Sequence, residues 1–397
     1  MIFNTWVFGI FAVATVFAYW GLVPQKNKPY ALVILGSLFY VYSVPAYLIL
    51  IFGLAGVTFV IGRLMLRANV SPRDRKRLLA IGIVLIAGTL LFFKYTKFFA
   101  ATVDQVAHHN ILPIPTIIVP LAISFFTFEF VHVLVDVYLG KIIALPLLEF
   151  AVFSMFFPTL VAGPIKRFQS FAPQVQAIVM PPTPTFMLNV YRIVMGLAKK
   201  TIIADSMTVF IQPILAPTAA FGQLDYWGAF FGYAAKIYFD FSGYSDIAIG
   251  VSGLLGLRIP ENFEMPYRTP NIAQFWRRWH ISLSSWIRDY IFIPLGGSRG
   301  SPVVTAANLL VAMALAGLWH GAAWTFVVWG LWHGAGLAVC RWWQIAVVPK
   351  VARLAEGGSV VRVASIALTF AFVGTGWLLF AAPSFANAYQ AFVHLFV

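Results

Sequence analysis

Long apolar stretches separated by short polar or Pro-rich segments set the pattern of this chain. Clear apolar runs lie near residues 2–22, 30–66, 79–100, 111–139, 143–164, 186–217, 225–253, 302–345 and 363–382. A helix of about 20 apolar residues crosses roughly 30 Å of hydrocarbon, and the run 30–66 is long enough for two. In hydrocarbon every backbone polar group must be paired internally, which favours helices. The pattern therefore predicts an all-α, polytopic transmembrane protein with about 10–12 membrane-embedded helices, some of them short, re-entrant or interfacial. One membrane domain over residues 1–397 is expected. The first four residues, Met1 to Asn4, carry no basic group, and no small-residue cleavage site follows, so the first run reads as a retained span.

Composition agrees with that reading. Of 397 residues, 61% are hydrophobic and 10% charged, and the mean hydropathy is +0.86, a balance that would coat a soluble domain in apolar surface. The bilayer is the expected partner. A net charge of +14 raises the question of nucleic acid, but the 27 Lys and Arg are spread among short loops, which fits topology and anionic lipid instead. Six basic residues and one acid lie within 63–77 (Arg63, Arg67, Arg73, Asp74, Arg75, Lys76, Arg77), which predicts a cytoplasmic loop. Cys340 is the single cysteine, so an internal disulfide is impossible.

A second basic concentration, Arg258 to Arg299, surrounds a segment whose Pro260, Pro266 and Pro270 forbid a regular helix. A structured loop is expected there, followed by a helix over 275–290. At about 100° per residue, Phe275, Trp276, Trp279, Leu283, Trp286, Ile287 and Tyr290 fall within an arc of roughly 120°, with Arg277 and Arg288 opposite. Such a helix belongs in the interface or re-enters the bilayer.

Ionisable residues inside apolar runs are costly and are candidates for function. His320 and His333 both lie in 302–345, each within the pentapeptide GLWHG, at 317–321 and 330–334. On one continuous helix the two imidazoles would be rotated by about 220°. The flanking glycines permit close backbone approach, to a substrate or to a neighbouring helix. His320 reads as a catalytic base, an interhelical hydrogen-bonding residue, or a proton-relay or metal group, and the residues alone do not choose between it and His333. Glu129, His132 and Asp136 share one helical face, as a structural polar seam, a proton or substrate path, or half a metal site. Lys236 and Asp240 are spaced to pair on a helix, and Asp246 follows where Ser242, Gly243 and Ser245 suggest an interruption. No GxxxxGK[ST], GxGxxG or HExxH motif occurs, which removes the usual signatures of nucleotide hydrolysis, dinucleotide chemistry and zincin proteolysis.

Several segments resemble the membrane-bound O-acyltransferases, in particular the bacterial branch containing the membrane subunit of alginate O-acetyltransferase. They are SFFTF at 124–128, LVDVYLG at 134–140, FFPTLVAGPI at 156–165, GLAKKTIIAD at 196–205, YFDFSGYSDIAIG at 238–250, ENFEMPYRTPNIAQFWRRWHISLSSWIRDYIFIPLGG at 261–297 and GLWHGAAWTFVVWGLWHG at 317–334. The Pro-rich loop, the RRWH helix and the WHG histidine in this order are the most specific. The resemblance implies that His320 is catalytic, with His280 and His333 as further family histidines. Candidate substrate-binding residues are Trp319, Trp324, Asp240 and Asp246, together with Asn262, Arg277 and Arg288. It also leads one to expect further apolar segments after 374–396, where this sequence stops.

What the resemblance implies chemically is acyl transfer, acetyl in the first instance, to hydroxyls of an extracytoplasmic polysaccharide or cell-envelope glycan. His320 is the expected buried general base. The donor is an acyl thioester, acetyl-CoA or an acylated carrier protein, reaching the site from the cytoplasm. No bound cofactor, metal or nucleic acid is called for. The expected partners are the bilayer and periplasmic or extracellular acyltransferase subunits, and the expected location is the inner or plasma membrane. Exopolysaccharide, teichoic acid and peptidoglycan are alternative acceptors. A proton-coupled secondary transporter using Glu129, His132, Asp136, Asp240 and Asp246 is the rival class, although only the local GLWHG duplication suggests a repeat. A catalytically dead scaffold of the same fold is a third reading.

Overall fold

Helix starts in this chain are set by local chemistry. Ser71 accepts the Asp74 amide on its hydroxyl at 3.1 Å while Pro72 fills the first turn, where its missing N–H leaves nothing unpaired. Ser301 and Pro302 repeat the device, with Val304 N donating to Ser301 Oγ at 3.3 Å. Asn271 caps the next amphipathic segment through Gln274 N at 2.9 Å.

The computed structural model describes residues 5–109, 116–350 and 358–397. Residues 2–4 and 111–115 of the expected apolar runs lie outside these. The chain divides into two compact units, Met1–Leu197 with Tyr244–Pro260, and Ala198–Gly243 with Glu261–Val397.

The first unit contains α1 (Trp6–Gly21), α2 (Lys28–Ser43), α3 (Leu48–Met65), α4 (Pro72–Leu90), α5 (Thr96–Ala107), α6 (Ile123–Tyr138), α7 (Leu147–Met155), α8 (Phe168–Gln176) and α9 (Thr183–Leu197). The second holds α10 (Gln212–Leu215), α12 (Ile272–Arg278), α13 (Ile281–Ile287), α14 (Pro302–His320), α15 (Trp324–Ala346), α16 (Ser359–Ala381) and α17 (Phe385–Val393). Between them in sequence, α11 (Gln223–Leu254) contributes its residues to Gly243 to the second unit and the rest to the first. The described residues are helical, with no strand beyond an isolated bridge between Phe263 and Trp279.

Among the described residues four helical segments are long and apolar enough to cross a membrane: Pro45–Met65, Pro72–Ala107, Pro302–His320 and Ser359–Ala381. Their outward side chains, such as Ile49, Val84, Val303 and Leu368, are exposed in the isolated chain, as lipid-facing residues must be. The run 30–66 forms two helices, as expected. The run 302–345 also forms two, separated at 321–323, and the run 143–164 yields only α7 before an irregular stretch.

In the first unit the polar face of α6 holds that irregular stretch in place. Glu129 is ion-paired with Lys166, which also donates to Thr159 Oγ1 at 3.0 Å. Phe168 N donates to His132 Nε2 at 3.1 Å, and Gln169 donates to Asp136. These three side chains therefore serve as a structural seam, with protein partners in the adjoining segment.

Candidate functional site

The expected helix over 275–290 is broken. α12 ends at Arg278 and α13 begins at Ile281, with His280 between them at φ +43°, in the left-handed region that costs a non-glycine residue about 1–2 kcal/mol. The Pro-rich loop imposes this turn. Asn262 accepts the Ser282 hydroxyl at 2.6 Å and its amide at 3.3 Å on Oδ1, while its carbonyl accepts Ile281 N at 3.0 Å. One strand-like bond, Glu264 N to Arg278 O at 3.0 Å, fixes the other side. Each short helix keeps the apolar stripe inward, with Phe275, Trp276, Trp279, Leu283, Trp286 and Ile287 buried, so periodicity alone could not reveal the break.

The glycines of the two GLWHG repeats lock α14 to α15. A Cβ at Gly317 would lie 2.0 Å from the Phe326 carbonyl oxygen, and one at Gly330 would lie 2.1 Å from that of Met313. The repeats therefore sit on two helices joined by a tight turn. His320 closes α14, His333 lies inside α15, and both rings pack on Trp329, with centroids 5.2 and 4.9 Å away. His280 joins them at 6.5 Å from His320, braced by Phe241 at 4.5 Å.

Accessibility separates the three histidines. His333 is 0% exposed and walled by Trp276, Trp329 and Phe372, and neither ring nitrogen has a hydrogen-bond partner. His280 is 1% exposed, with Nε2 unpartnered. Burial lowers its pKa well below the ordinary histidine value, and His320 pushes the same way, so the ring is neutral at physiological pH. His320, the last residue of α14, is half-buried, not sealed as the sequence suggested. Its ring also touches Trp319 at 4.8 Å and Phe380 at 5.1 Å.

The remaining candidates are placed differently. Trp319 packs against His320 and His280, whereas Trp324, the first residue of α15, is 47% exposed. Asp240 pairs with Lys200 at 2.7 Å, and Lys236 donates to Thr208 at 2.7 Å, in place of the expected Lys236–Asp240 pair. Asp246 belongs to the first unit and pairs with Arg192 at 2.9 Å. No interruption occurs at 242–245, where α11 is continuous. Arg277 and Arg288 are exposed, the latter bound to Asp289 at 2.8 Å. Among the described residues no three of His, Cys, Asp and Glu converge to hold a metal ion. Trp329 was missed in the sequence reading, although its i, i+4 spacing to His333 marks a shared helical face.

A half-buried imidazole next to a second, neutral imidazole in an aromatic wall is suited to moving a proton and holding developing negative charge. Residues 82–351 match the family model for MBOAT, the membrane-bound O-acyltransferase family. Over 403 aligned residues the chain is 35% identical to the probable alginate O-acetylase AlgI of Pseudomonas aeruginosa, covering all of this chain and 75% of that protein. The same protein of Azotobacter vinelandii is 35% identical over 403 residues, with 100% and 78% covered. The peptidoglycan O-acetyltransferase of Helicobacter pylori is 32% identical over 353 residues, with 80% and 64% covered. With the family model spanning well over half its length, the chain belongs to the membrane-bound O-acyltransferases.

Proposed function

We propose that this O-acyltransferase moves an acetyl group from a cytoplasmic thioester, acetyl-CoA or an acylated carrier protein, to hydroxyls of an extracytoplasmic polysaccharide or cell-envelope glycan, with His320 as general base. The observation that carries the assignment is the exposure of His320: of the three clustered histidines it alone is half-buried, as the last residue of α14. Its imidazole takes the acceptor hydroxyl proton as the oxygen attacks the thioester carbonyl. His280 and Trp319, whose rings lie 6.5 and 4.8 Å from that of His320, are the candidate donors to the oxyanion that forms. Collapse expels the thiolate, which recovers the proton from the imidazolium and leaves an ester and a free thiol.

Support for a glycan acceptor comes from relatives named for alginate and peptidoglycan acetylation, with teichoic acid a third acceptor class. An inner or plasma membrane location and extracytoplasmic partner subunits belong to the same proposal. The test is mass spectrometry of surface glycans from cells with and without the protein. Loss of an O-acetyl ester from one polymer is expected, and unchanged ester content in every polymer would sink the assignment.

A further inference from the structure

The second unit contains a cavity of about 360 Å³ whose lining includes none of the three histidines. That volume lies within the range of small-ligand clefts, about 300–1,000 Å³. Its walls come from α12, α13, the turn that follows it, α14 and α15 and are apolar: Trp276, Ile281, Phe292, Leu309, Met313 and Leu337. Around this floor stand Arg277 and Arg288, both exposed, with the hydroxyls of Ser284 and Ser285. Arg277 lies in the last turn of α12 and Arg288 in the π-type turn Arg288–Phe292 after α13. The broken helix thus brings two guanidinium groups eleven residues apart in sequence to one cleft. Asp289 takes Arg288 Nε at 2.8 Å, and the terminal nitrogens of the fork are further donors.

The geometry points to a phospholipid site, in which Arg277 and Arg288 hold the phosphate of an anionic headgroup and the apolar floor takes part of an acyl chain. Charge and shape together select this occupant. A zwitterionic lipid gains less from two cations, and a soluble phosphate gains nothing from the apolar floor. Arginine suits the headgroup because its fork matches phosphate oxygens and its stem packs on apolar surface. Both arginines stand on the exposed face of the α12–α13 segment, opposite its buried apolar stripe, where a charged headgroup can reach them. This assignment does not depend on the acyl-transfer reading, because its readout is lipid binding.

The purified full chain in detergent is titrated with phosphatidylglycerol or phosphatidylcholine of matched chains, and bound lipid is counted by native mass spectrometry. Preferential retention of phosphatidylglycerol is expected, falling about fivefold for each of Arg277→Gln and Arg288→Gln. A control pair, Arg73→Gln with Lys76→Gln, removes two exposed charges from the first unit and should leave the preference intact. Equal loss in the control pair, or no loss in the arginine variants, would overturn the site. So would displacement of phosphatidylglycerol by millimolar CoA with the same dependence on Arg277 and Arg288, because the cleft would then belong to a soluble phosphate ligand.

Discussion

His320 and Trp329 meet edge to face, with ring centroids 5.2 Å apart and planes at 87°. The same indole carries His333 at 4.9 Å, so one aromatic ring separates two histidines that sit in identical pentapeptides. The difference between them is access, since His333 is sealed and His320 is not.

His320→Ala should therefore remove transfer, with a loss of about 10²- to 10⁴-fold in rate. Folding should survive, because a half-buried position at a helix end tolerates a small apolar side chain. His333→Ala should be milder, acting through packing against Trp276 and Trp329. Both are checked by transfer from a labelled thioester in monodisperse samples. A dead His333 variant beside an active His320 variant would exchange their roles, and two active variants would rule out the histidine mechanism.

How much of this was legible in the sequence depends on how local the cause was. The irregular loop around Pro260, Pro266 and Pro270 has a local cause and lies where the prolines place it, whereas Arg73 to Arg77, expected in a loop, form the first turns of α4. The turn at 321–323 was hidden because Gly321, Ala322 and Ala323 continue an apolar run with no polar marker. The left-handed backbone at His280 is imposed by Asn262, eighteen positions upstream, and no helical period carries that information. Lys236 looked like the partner of Asp240 by spacing, but Lys200, on a separate segment, occupies that role. Fold class depends on summed hydrophobicity and was readable, whereas side-chain pairing across segments was not.

Asn262 should act on catalysis through His280. Asn262→Ala leaves the Ser282 amide and hydroxyl without their acceptor in a buried site, a cost of about 1–3 kcal/mol. The turn should relax and lower kcat with little change in KM for the thioester. Asn262→Asp keeps an acceptor oxygen, so it should recover part of kcat. An Asn262→Ala enzyme with normal kcat would show that the loop does not set the histidine.

The helix lock of the GLWHG repeats gives a sharper structural test. Gly317→Ala and Gly330→Ala each drive a methyl into a carbonyl oxygen of the opposing helix and should destabilise by about 1–3 kcal/mol. Gly9→Ala in α1 meets nothing within 4 Å and should be neutral or slightly stabilising. Thermal melts in detergent compare the three. If Gly317→Ala and Gly9→Ala melt alike, the two helices are not in backbone contact.

Glu129 and Lys166 distinguish a structural seam from a proton path. Both are buried, and Lys166 lies over the Phe153 ring at 4.5 Å, so removing one partner strands a charge in an apolar setting. Glu129→Gln and Lys166→Met should each cost about 3–5 kcal/mol, because the unpaired charge loses its compensation. The double variant removes both charges and should recover much of the stability lost by either single change. Transfer activity should follow the amount of folded protein in all three variants. A proton pathway gives the opposite pattern: the double variant would be stable and well folded yet unable to work, since neither remaining side chain can exchange a proton. Measuring melting temperature and specific activity on the same samples separates the two, and a stable but inactive double variant would return Glu129 to the functional residues.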